Sequence, residues 1–262
     1  MGSIQASHPV IVEDPDDTAS HFFVCDVDLW PSEGLHAALR ALPPSFTTQS
    51  KHAMVVPAFE VYSSAYLPLG DAGVTRTLDE LKLCALQRWG NSSLCDVFKH
   101  STATHTSTWY RRWWKTAADD GPYKVPCFDS IRYEPYVLVP RGGETPAFDE
   151  EFVGCAALSC PPARALPPRS PRRAARRRYG KNKIQFIQHL RLKGFTFWVL
   201  PNEYVIHVPH TESLSRRKWS EGSHGKKNRL FINFMAKVMD GATIRVPLCL
   251  QAFVEMSQDE YA

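Results

Sequence analysis

The sequence predicts an α/β fold with a mixed, mainly parallel sheet flanked by helices, and three observations point to it. Short apolar runs bounded by acids or prolines recur at the length of buried strands. Between them lie stretches whose apolar residues return every three or four positions, the spacing of one helix face. The two kinds alternate along the 262 residues, as in a sheet covered by helices.

Residues 1–19 are polar and acidic (Glu13, Asp14, Asp16, Asp17) and predict a disordered N-terminal segment without a secretory pattern. His21 to Cys25 (HFFVC) predicts the first buried strand, ending in Asp26-Val27-Asp28. Ser32 to Leu42 predicts a helix with Leu35, Ala38, Leu39 and Leu42 on one face, stopped by Pro43-Pro44. Ala53 to Pro57 reads as a second strand. Thr77-Leu78-Asp79-Glu80 has the form of a capping box and opens a helix to about Trp89, with Leu78, Leu81, Ala85 and Trp89 inward. Ser101 to Trp114 lacks a clean period and reads as a long functional loop. Tyr136 to Val139 is a strand, and Asp149 to Gly154 a turn. Asn182 to Lys193 predicts a helix closed by Gly194. Phe195 to Leu200 and Tyr204 to Val208 are strands around a Pro201-Asn202 turn. Lys227 to Met239 predicts the last helix, with Leu230, Phe231, Phe234, Met235 and Val238 inward.

One segment breaks the alternation. Residues 155–178 are rich in Ala, Pro and Arg, with two Pro pairs that forbid continuous helix and no aromatic to anchor them. They read as a disordered surface insertion or a retained intron, dividing one domain into 20–154 and 179–262. The insertion also sets the charge. Of 31 Lys and Arg, 7 lie within it, so the remaining 24 face 27 Asp and Glu. The net charge of +4 therefore does not describe the folded part, which is no basic nucleic-acid binder. No run reaches the roughly 18 apolar residues of a membrane span. Seven Cys without CxxC spacing indicate neither a zinc ribbon nor a disulfide framework, and most read as small core residues; an oxidising compartment would permit a disulfide.

The strongest chemical signal is the acidic pair Asp26 and Asp28. An Asp-x-Asp pair alone is common in solvated turns. Here it follows a buried strand and precedes Leu29-Trp30, which argues against a simple hydrophilic turn. Two carboxylates there suit Mg²⁺ or Mn²⁺, with substrate phosphates completing the shell. A third ligand is sought at the end of a late strand, where His207 and His210 lie and where α/β sheets gather their ligands.

Six blocks now carry a resemblance. They are Phe23-Val24-Cys25-Asp26-Val27-Asp28-Leu29-Trp30-Pro31, Val55-Val56-Pro57-Ala58-Phe59-Glu60, Tyr133-Glu134-Pro135-Tyr136-Val137, Phe148-Asp149-Glu150-Glu151-Phe152-Val153-Gly154, Tyr179-Gly180-Lys181-Asn182-Lys183 and Leu200-Pro201-Asn202-Glu203-Tyr204-Val205-Ile206-His207. In this order they resemble glycosyltransferase family 49, which includes the LARGE-type xylosyl- and glucuronyltransferases and the β-1,4-glucuronyltransferase of dystroglycan glycosylation. The resemblance implies a partial GT-A-like fold, a Mn²⁺ cofactor and inverting transfer of glucuronate from a UDP-sugar donor to a glycan or glycoprotein acceptor in the Golgi. By the same resemblance, Asp26, Asp28 and His207 hold the metal. Glu60, Tyr133, Glu134, Tyr136, Asn182 and Lys183 bind substrate. Where many GT-A enzymes carry the catalytic base, this sequence, like the family, reads Lys181-Asn182-Lys183 without a carboxylate, so Asp149 or Glu150 is the nearest candidate for that role. His105, Trp109 and Tyr110 loosely match a family loop near the acceptor.

Two departures accompany the resemblance. Removing residues 155–178 restores a continuous F-V-G-Y-G-K-N-K. The chain also starts just before the first acidic strand, where the family has further βα units and a membrane anchor. The expectation is an N-terminally truncated member with little or no activity as it stands. Two other classes compete: a non-catalytic carbohydrate-binding or interaction protein using Trp109, Trp113 and Trp114, and a nucleic-acid binder using the basic segment.

Overall fold

The computed structural model describes residues 19–62, 74–90, 92–97, 102–149, 152, 181–208 and 225–250. The expected disordered N-terminal segment (save its last residue), the 155–178 insertion, Glu150 and His210 lie outside these residues.

The elements follow the chain as β1 (His21–Val24), β2 (Leu29–Pro31), α1 (Leu35–Arg40), α2 (Pro44–Thr47), β3 (His52–Val56) and β4 (Ala58–Val61). Then come α3 (Leu78–Leu86), β5 (Arg88–Trp89), β6 (Ser92–Ser93), β7 (Cys95–Val97), α4 (Thr102–His105), α5 (Tyr110–Trp113), β8 (Tyr123–Lys124) and β9 (Tyr136–Pro140). The last are α6 (Asn182–Leu192), β10 (Thr196–Val199), β11 (Val205–His207) and α7 (Gly225–Met239).

Two mixed sheets form the frame, one in the order β1-β9-β3-β10-β8 and one in the order β2-β11-β4-β7. The sheets are mixed as expected, but parallel pairing is confined to β3 with β10 and β4 with β11. The other registers in these sheets are antiparallel. The chain passes from the first sheet into the second three times: β1 to β2, β3 to β4, and β10 to β11. The acidic pair lies on the first of these passages.

β3 is buried on both sides, and its alternation shows it. Ala53 and Val55 join the larger core with Phe186, Leu190 and Phe197, while Met54 and Val56 join Leu35, Leu42 and Phe46. α6 covers the first face, burying Ile184, Phe186, Ile187 and Leu190. It ends at Gly194, whose φ of 82° is the left-handed conformation of a helix C-terminus. α3 starts with the expected capping box: Thr77 Oγ1 accepts from Glu80 N, and Glu80 Oε2 accepts from Thr77 N. It ends three residues early because Arg88–Trp89 pair with Ser92–Ser93. α7 packs Phe231 and Phe234 against Phe152 and Ile184.

The Pro43-Pro44 pair separates α1 from α2, as expected of a helix stop, and Pro44 begins α2 at the first helical position, where its missing N–H costs nothing. Two expectations are corrected. The stretch expected as a loop over Ser101 to Trp114 is α4, a 3₁₀ turn (Thr106–Thr108) and α5. Trp113 anchors it, 2 % exposed and donating from Nε1 to Leu200 O at 2.9 Å. Four of the cysteines form two disulfides, Cys84–Cys95 and Cys127–Cys249, while Cys25 is a free thiol. The first ties α3 to β7. The second ties the segment after α7 to the loop after β8.

Candidate active site

The passage from β1 to β2 places the two aspartates. Asp28 is fixed by its backbone, its carbonyl accepting from Val208 N at 3.0 Å. Its carboxylate meets the ring of His207, Oδ2 to Nε2 at 3.2 Å, and both side chains keep about a fifth of their surface exposed (23 % and 22 %). The meeting follows from sheet register, because β11 lies between β2 and β4. His207 stands opposite Leu29, one residue after Asp28, and opposite Glu60 on the other side. Glu60 in turn stands opposite Asp96. Directly paired residues share a face of the sheet, so His207, Glu60 and Asp96 form one polar row at the end of the second sheet. Asp96 was not foreseen, since a single acid in a Cys-Asp-Val strand carries no signal.

The Asp28–His207 pair fits two ligands of one cation. Adjacent donors on an octahedral ion with bonds near 2.1 Å are about 3 Å apart. An imidazole nitrogen beside a carboxylate oxygen suits Mn²⁺ better than the all-oxygen preference of Mg²⁺. Asp26 does not complete a trio with them. Among the described residues, the one group of three potential ligand atoms within 4.8 Å of one another is Cys127, Asp129 and Cys249. Its two sulfurs are bonded to each other and offer no thiolate.

Asp26 instead belongs to a second cluster, around Lys183. The ammonium donates to Asp26 Oδ2 at 2.5 Å and to Tyr136 Oη at 3.3 Å, and Tyr136 Oη donates to the same Asp26 oxygen at 2.9 Å. Lys183 also lies over the Tyr136 ring, 4.5 Å from its centre. Burial alone would push the ammonium down, but Tyr136, Asp26 and Glu134 outweigh it and hold Lys183 protonated well above its usual range. Glu134 is pushed upward by burial and by Asp26, against the pull of Lys183. Cys25 next door is raised, mainly by burial and then by Asp26. A partly buried cation thus sits among two carboxylates and a phenol, beside the Asp28–His207 pair.

Removing that cation leaves two carboxylates facing each other. Lys183→Met is expected to lower unfolding free energy by about 3 kcal/mol, the scale for breaking a buried ion pair from one side. Lys183→Met with Asp26→Asn should recover about half of the loss. Urea unfolding of the four proteins checks this, and purely additive losses would contradict it.

The other expected site residues fall into place as follows. Tyr133 is fully buried, its hydroxyl 3.0 Å from Thr108 Oγ1 and its ring edge-on to Phe128. It supports the site from within the core and does not face a substrate. Asn182 is the first residue of α6, after Lys181 at φ 66°. Lys181 lies over the Phe231 ring at 5.0 Å. Asp149 donates from its backbone N to Gln185 Oε1 at 3.3 Å, and its charge reaches His189. Gln185 and His189 share one side of α6, whereas Lys183, two residues before Gln185, points to another. Asp149 therefore meets α6 on the side of Gln185 and His189. Trp109 is 37 % exposed with a left-handed backbone at φ 54°. Tyr110 fastens this segment to β4, its hydroxyl donating to Ala58 O at 2.9 Å and accepting from Ala58 N at 3.2 Å.

His105 stacks on the Tyr136 ring, centroids 5.9 Å apart, and is 4 % exposed. Burial, with the Lys183 charge second, lowers its imidazole from 6.5 to about 3. Above pH 6.5 neither the folded nor the unfolded ring is protonated, so stability is complete there. As pH falls toward about 3 the unfolded ring takes a proton that the folded ring refuses, so stability drops, by at most about 5 kcal/mol. His21, His52 and His189 are lowered too and act in the same direction. His105→Gln should flatten the stability profile between pH 6.5 and 4 in urea titrations. An unchanged slope would contradict the assignment.

Comparison with known proteins agrees with this architecture. The family described as glycosyl-transferase for dystroglycan matches residues 17–158. Xylosyl- and glucuronyltransferase LARGE2 of Rattus norvegicus is 31 % identical over 200 residues, 74 % of this chain and 23 % of that protein. Beta-1,4-glucuronyltransferase 1 of Mus musculus is 28 % identical over 221 residues, 83 % of this chain and 44 % of that protein. Xylosyl- and glucuronyltransferase LARGE1 of Homo sapiens is 29 % identical over 202 residues, 76 % of this chain and 21 % of that protein. The chain thus spans less than half the length of these relatives. With the family match covering more than half of the chain, and two mixed sheets presenting an Asp-x-Asp passage and a strand-end histidine to each other, this protein belongs to the dystroglycan-type glycosyltransferase family 49.

Proposed function

We propose that this protein transfers glucuronate from a UDP-sugar to a glycan hydroxyl in protein O-glycosylation, using Mn²⁺. The contact between Asp28 and His207 carries the reading, since it joins a carboxylate and an imidazole from sequence positions 179 residues apart at the ends of two adjacent strands. Asp28 and His207 hold the ion. Asp26, aimed by Lys183 and Tyr136, approaches from the second cluster. The ion supplies charge neutralisation for the departing nucleoside diphosphate. Lys183 adds a fixed positive charge on the same side, and its setting among acids keeps it charged at neutral pH.

An inverting transfer needs a carboxylate to take the acceptor proton as the sugar bond breaks. Glu60 meets the positional requirement, one strand away from His207 and on the same face of the sheet.

The two disulfides support a lumenal setting such as the Golgi, because such bonds persist in oxidising compartments. No described helix is long and apolar enough to cross a membrane.

Calorimetric titration with UDP-glucuronate tests the proposal. Binding should require Mn²⁺ and disappear with a chelator. In Glu60→Gln, donor binding should persist while transfer falls about a hundredfold or more. Donor binding that is indifferent to Mn²⁺ would overturn the metal reading, and full transfer in Glu60→Gln would overturn the assignment of the base.

A further inference from the structure

Away from the candidate active site, one more group of side chains has the chemistry of a ligand set. Cys127, Asp129 and Cys249 bring two sulfurs and a carboxylate oxygen within 4.8 Å of one another. The backbone places them there. The loop after β8 and the segment after α7 run parallel through one bridge, Phe128 opposite Leu248. Phe128 N donates to Pro247 O at 2.9 Å, and Cys249 N donates to Phe128 O at 2.8 Å. Phe128 is fully buried, and Leu248 packs against the same core. Side chains of extended backbone alternate between two sides. Cys127 and Asp129 therefore share the outer side, and Cys249 stands opposite Asp129. All three keep some exposure.

This placement rests on contacts other than the sulfur–sulfur bond. The Phe128 ring is edge-on to Tyr133 and Phe197. Asp129 N donates to Ser107 Oγ at 2.9 Å. On the other segment, Thr243 N donates to Leu192 O at 2.8 Å, and Val246 O accepts from Arg191 Nη1 at 3.4 Å. With the disulfide opened, these contacts keep the two thiols and the carboxylate facing one another. In a tetrahedral zinc site neighbouring ligand atoms are about 3.5 Å apart, which rotation of the cysteine side chains can reach.

We propose that Cys127, Asp129 and Cys249 form a Zn²⁺ site in the reduced chain, closing the same loop that the disulfide closes in the oxidised chain. A dithiol reductant opens the bond: it gives two electrons and two protons to the sulfurs and becomes a disulfide itself. Zn²⁺ then displaces both thiol protons to water and forms two zinc–sulfur bonds. Asp129 supplies the third ligand, and water the fourth. Reoxidation by a small disulfide returns the electrons to that disulfide, remakes the Cys127–Cys249 bond and releases the ion. Two soft thiolates select Zn²⁺ over Mn²⁺ or Mg²⁺, so this site is chemically distinct from the Asp28–His207 pair and does not depend on the transferase reading. The loop it closes spans 122 residues and contains Lys183 and His207. Zinc would hold that half of the fold in place before the disulfide forms, and would slow the oxidation by masking both thiolates.

The test uses the full chain, reduced with dithiothreitol and freed of it without oxygen. Co²⁺, a coloured stand-in for Zn²⁺, should give a thiolate-to-metal absorption band at one equivalent per chain. Zn²⁺ should bleach the band, and an excess of Mn²⁺ should not. Zn²⁺ should raise the thermal midpoint of the reduced chain by about 5 °C or more and leave the oxidised chain unchanged. Asp129→Asn should weaken Zn²⁺ binding about tenfold or more, since losing a ligand costs no less than losing a group that only orients one. Asp129→His, which restores a ligand, should recover it. Cys84 and Cys95 are reduced by the same treatment, and dependence on residue 129 separates their contribution from that of this site. Absence of the thiolate band, equal affinity in Asp129→Asn, or an equal rise in midpoint for the oxidised chain would each overturn the proposal. So would a band that survives in Cys127→Ser with Cys249→Ser. Should that double variant fail to fold, the two substitutions at Asp129 decide the matter.

Discussion

Asp28→Asn is expected to weaken Mn²⁺-dependent UDP-glucuronate binding at least tenfold and to cut any transfer by roughly a thousandfold. The substitution removes one negative charge and keeps the shape. The amide that replaces the carboxylate can still reach the His207 ring, so the fold should persist, with a thermal midpoint within a few degrees of the wild type. What is lost is the anionic oxygen now 3.2 Å from Nε2 of His207. A hard cation held by one carboxylate and one imidazole loses most of its hold when the carboxylate is neutralised. A departing diphosphate would then develop its charge without the ion that Asp28 and His207 would hold, and loss of one such stabilising group costs roughly a hundred- to a thousandfold in rate. Asp26→Asn should act differently. Its carboxylate is engaged by Lys183 and Tyr136, so the variant should lose stability as well as donor affinity. A thermal midpoint that falls in Asp28→Asn and not in Asp26→Asn would invert these roles.

Cys127→Ser with Cys249→Ser is expected to cost the most stability of any change outside the site. The bond closes a loop of 122 residues, against 11 for Cys84–Cys95. Chain-entropy arguments give about 5 kcal/mol for the long loop and about 3 kcal/mol for the short one. Since whole-domain stabilities run from about 5 to 15 kcal/mol, the first loss can bring the fold near its limit. The long loop contains both Lys183 and His207, so its closure also restrains the half of the site that comes late in the chain. Two backbone hydrogen bonds run beside it, Phe128 N to Pro247 O at 2.9 Å and Cys249 N to Phe128 O at 2.8 Å. Phe128 itself is fully buried against Tyr133 and Phe197. Urea unfolding under oxidising conditions should rank the variants with the long-loop pair below Cys84→Ser with Cys95→Ser. Equal losses would show that native-state packing, and not loop closure, sets the contribution.

Local signals were legible where one segment decides its own structure. The capping box at Thr77, the C-terminal Gly194 and the apolar run of β3 are of this kind. Segments decided by distant partners were not. Ser101 to Trp114 lacks a helix period because Trp113 and Tyr110 are drawn inward by Phe59 and Leu200, not by neighbours on one face. The antiparallel pairings of β9 and β2 leave no trace in strand and helix alternation. Disulfide partners 122 residues apart show no spacing to read. At the site, the acidic pair was visible as a motif, but the division of labour within it was not. Asp26 turns to Lys183, 157 positions later, while Asp28 turns to His207, 179 positions later. Lys183 read as a residue for substrate, and its burial among Asp26, Tyr136 and Glu134 makes it equally a part of the frame.

The most direct test is pulsed electron paramagnetic resonance of the protein loaded with Mn²⁺, with and without ¹⁵N-labelled histidine. Coupling is expected between the ion and one imidazole nitrogen. It should change with the label, vanish in His207→Gln, and be lost together with the bound ion in Asp28→Asn. A bound ion showing no histidine coupling, or one whose coupling survives in His207→Gln, would contradict a metal site built on Asp28 and His207.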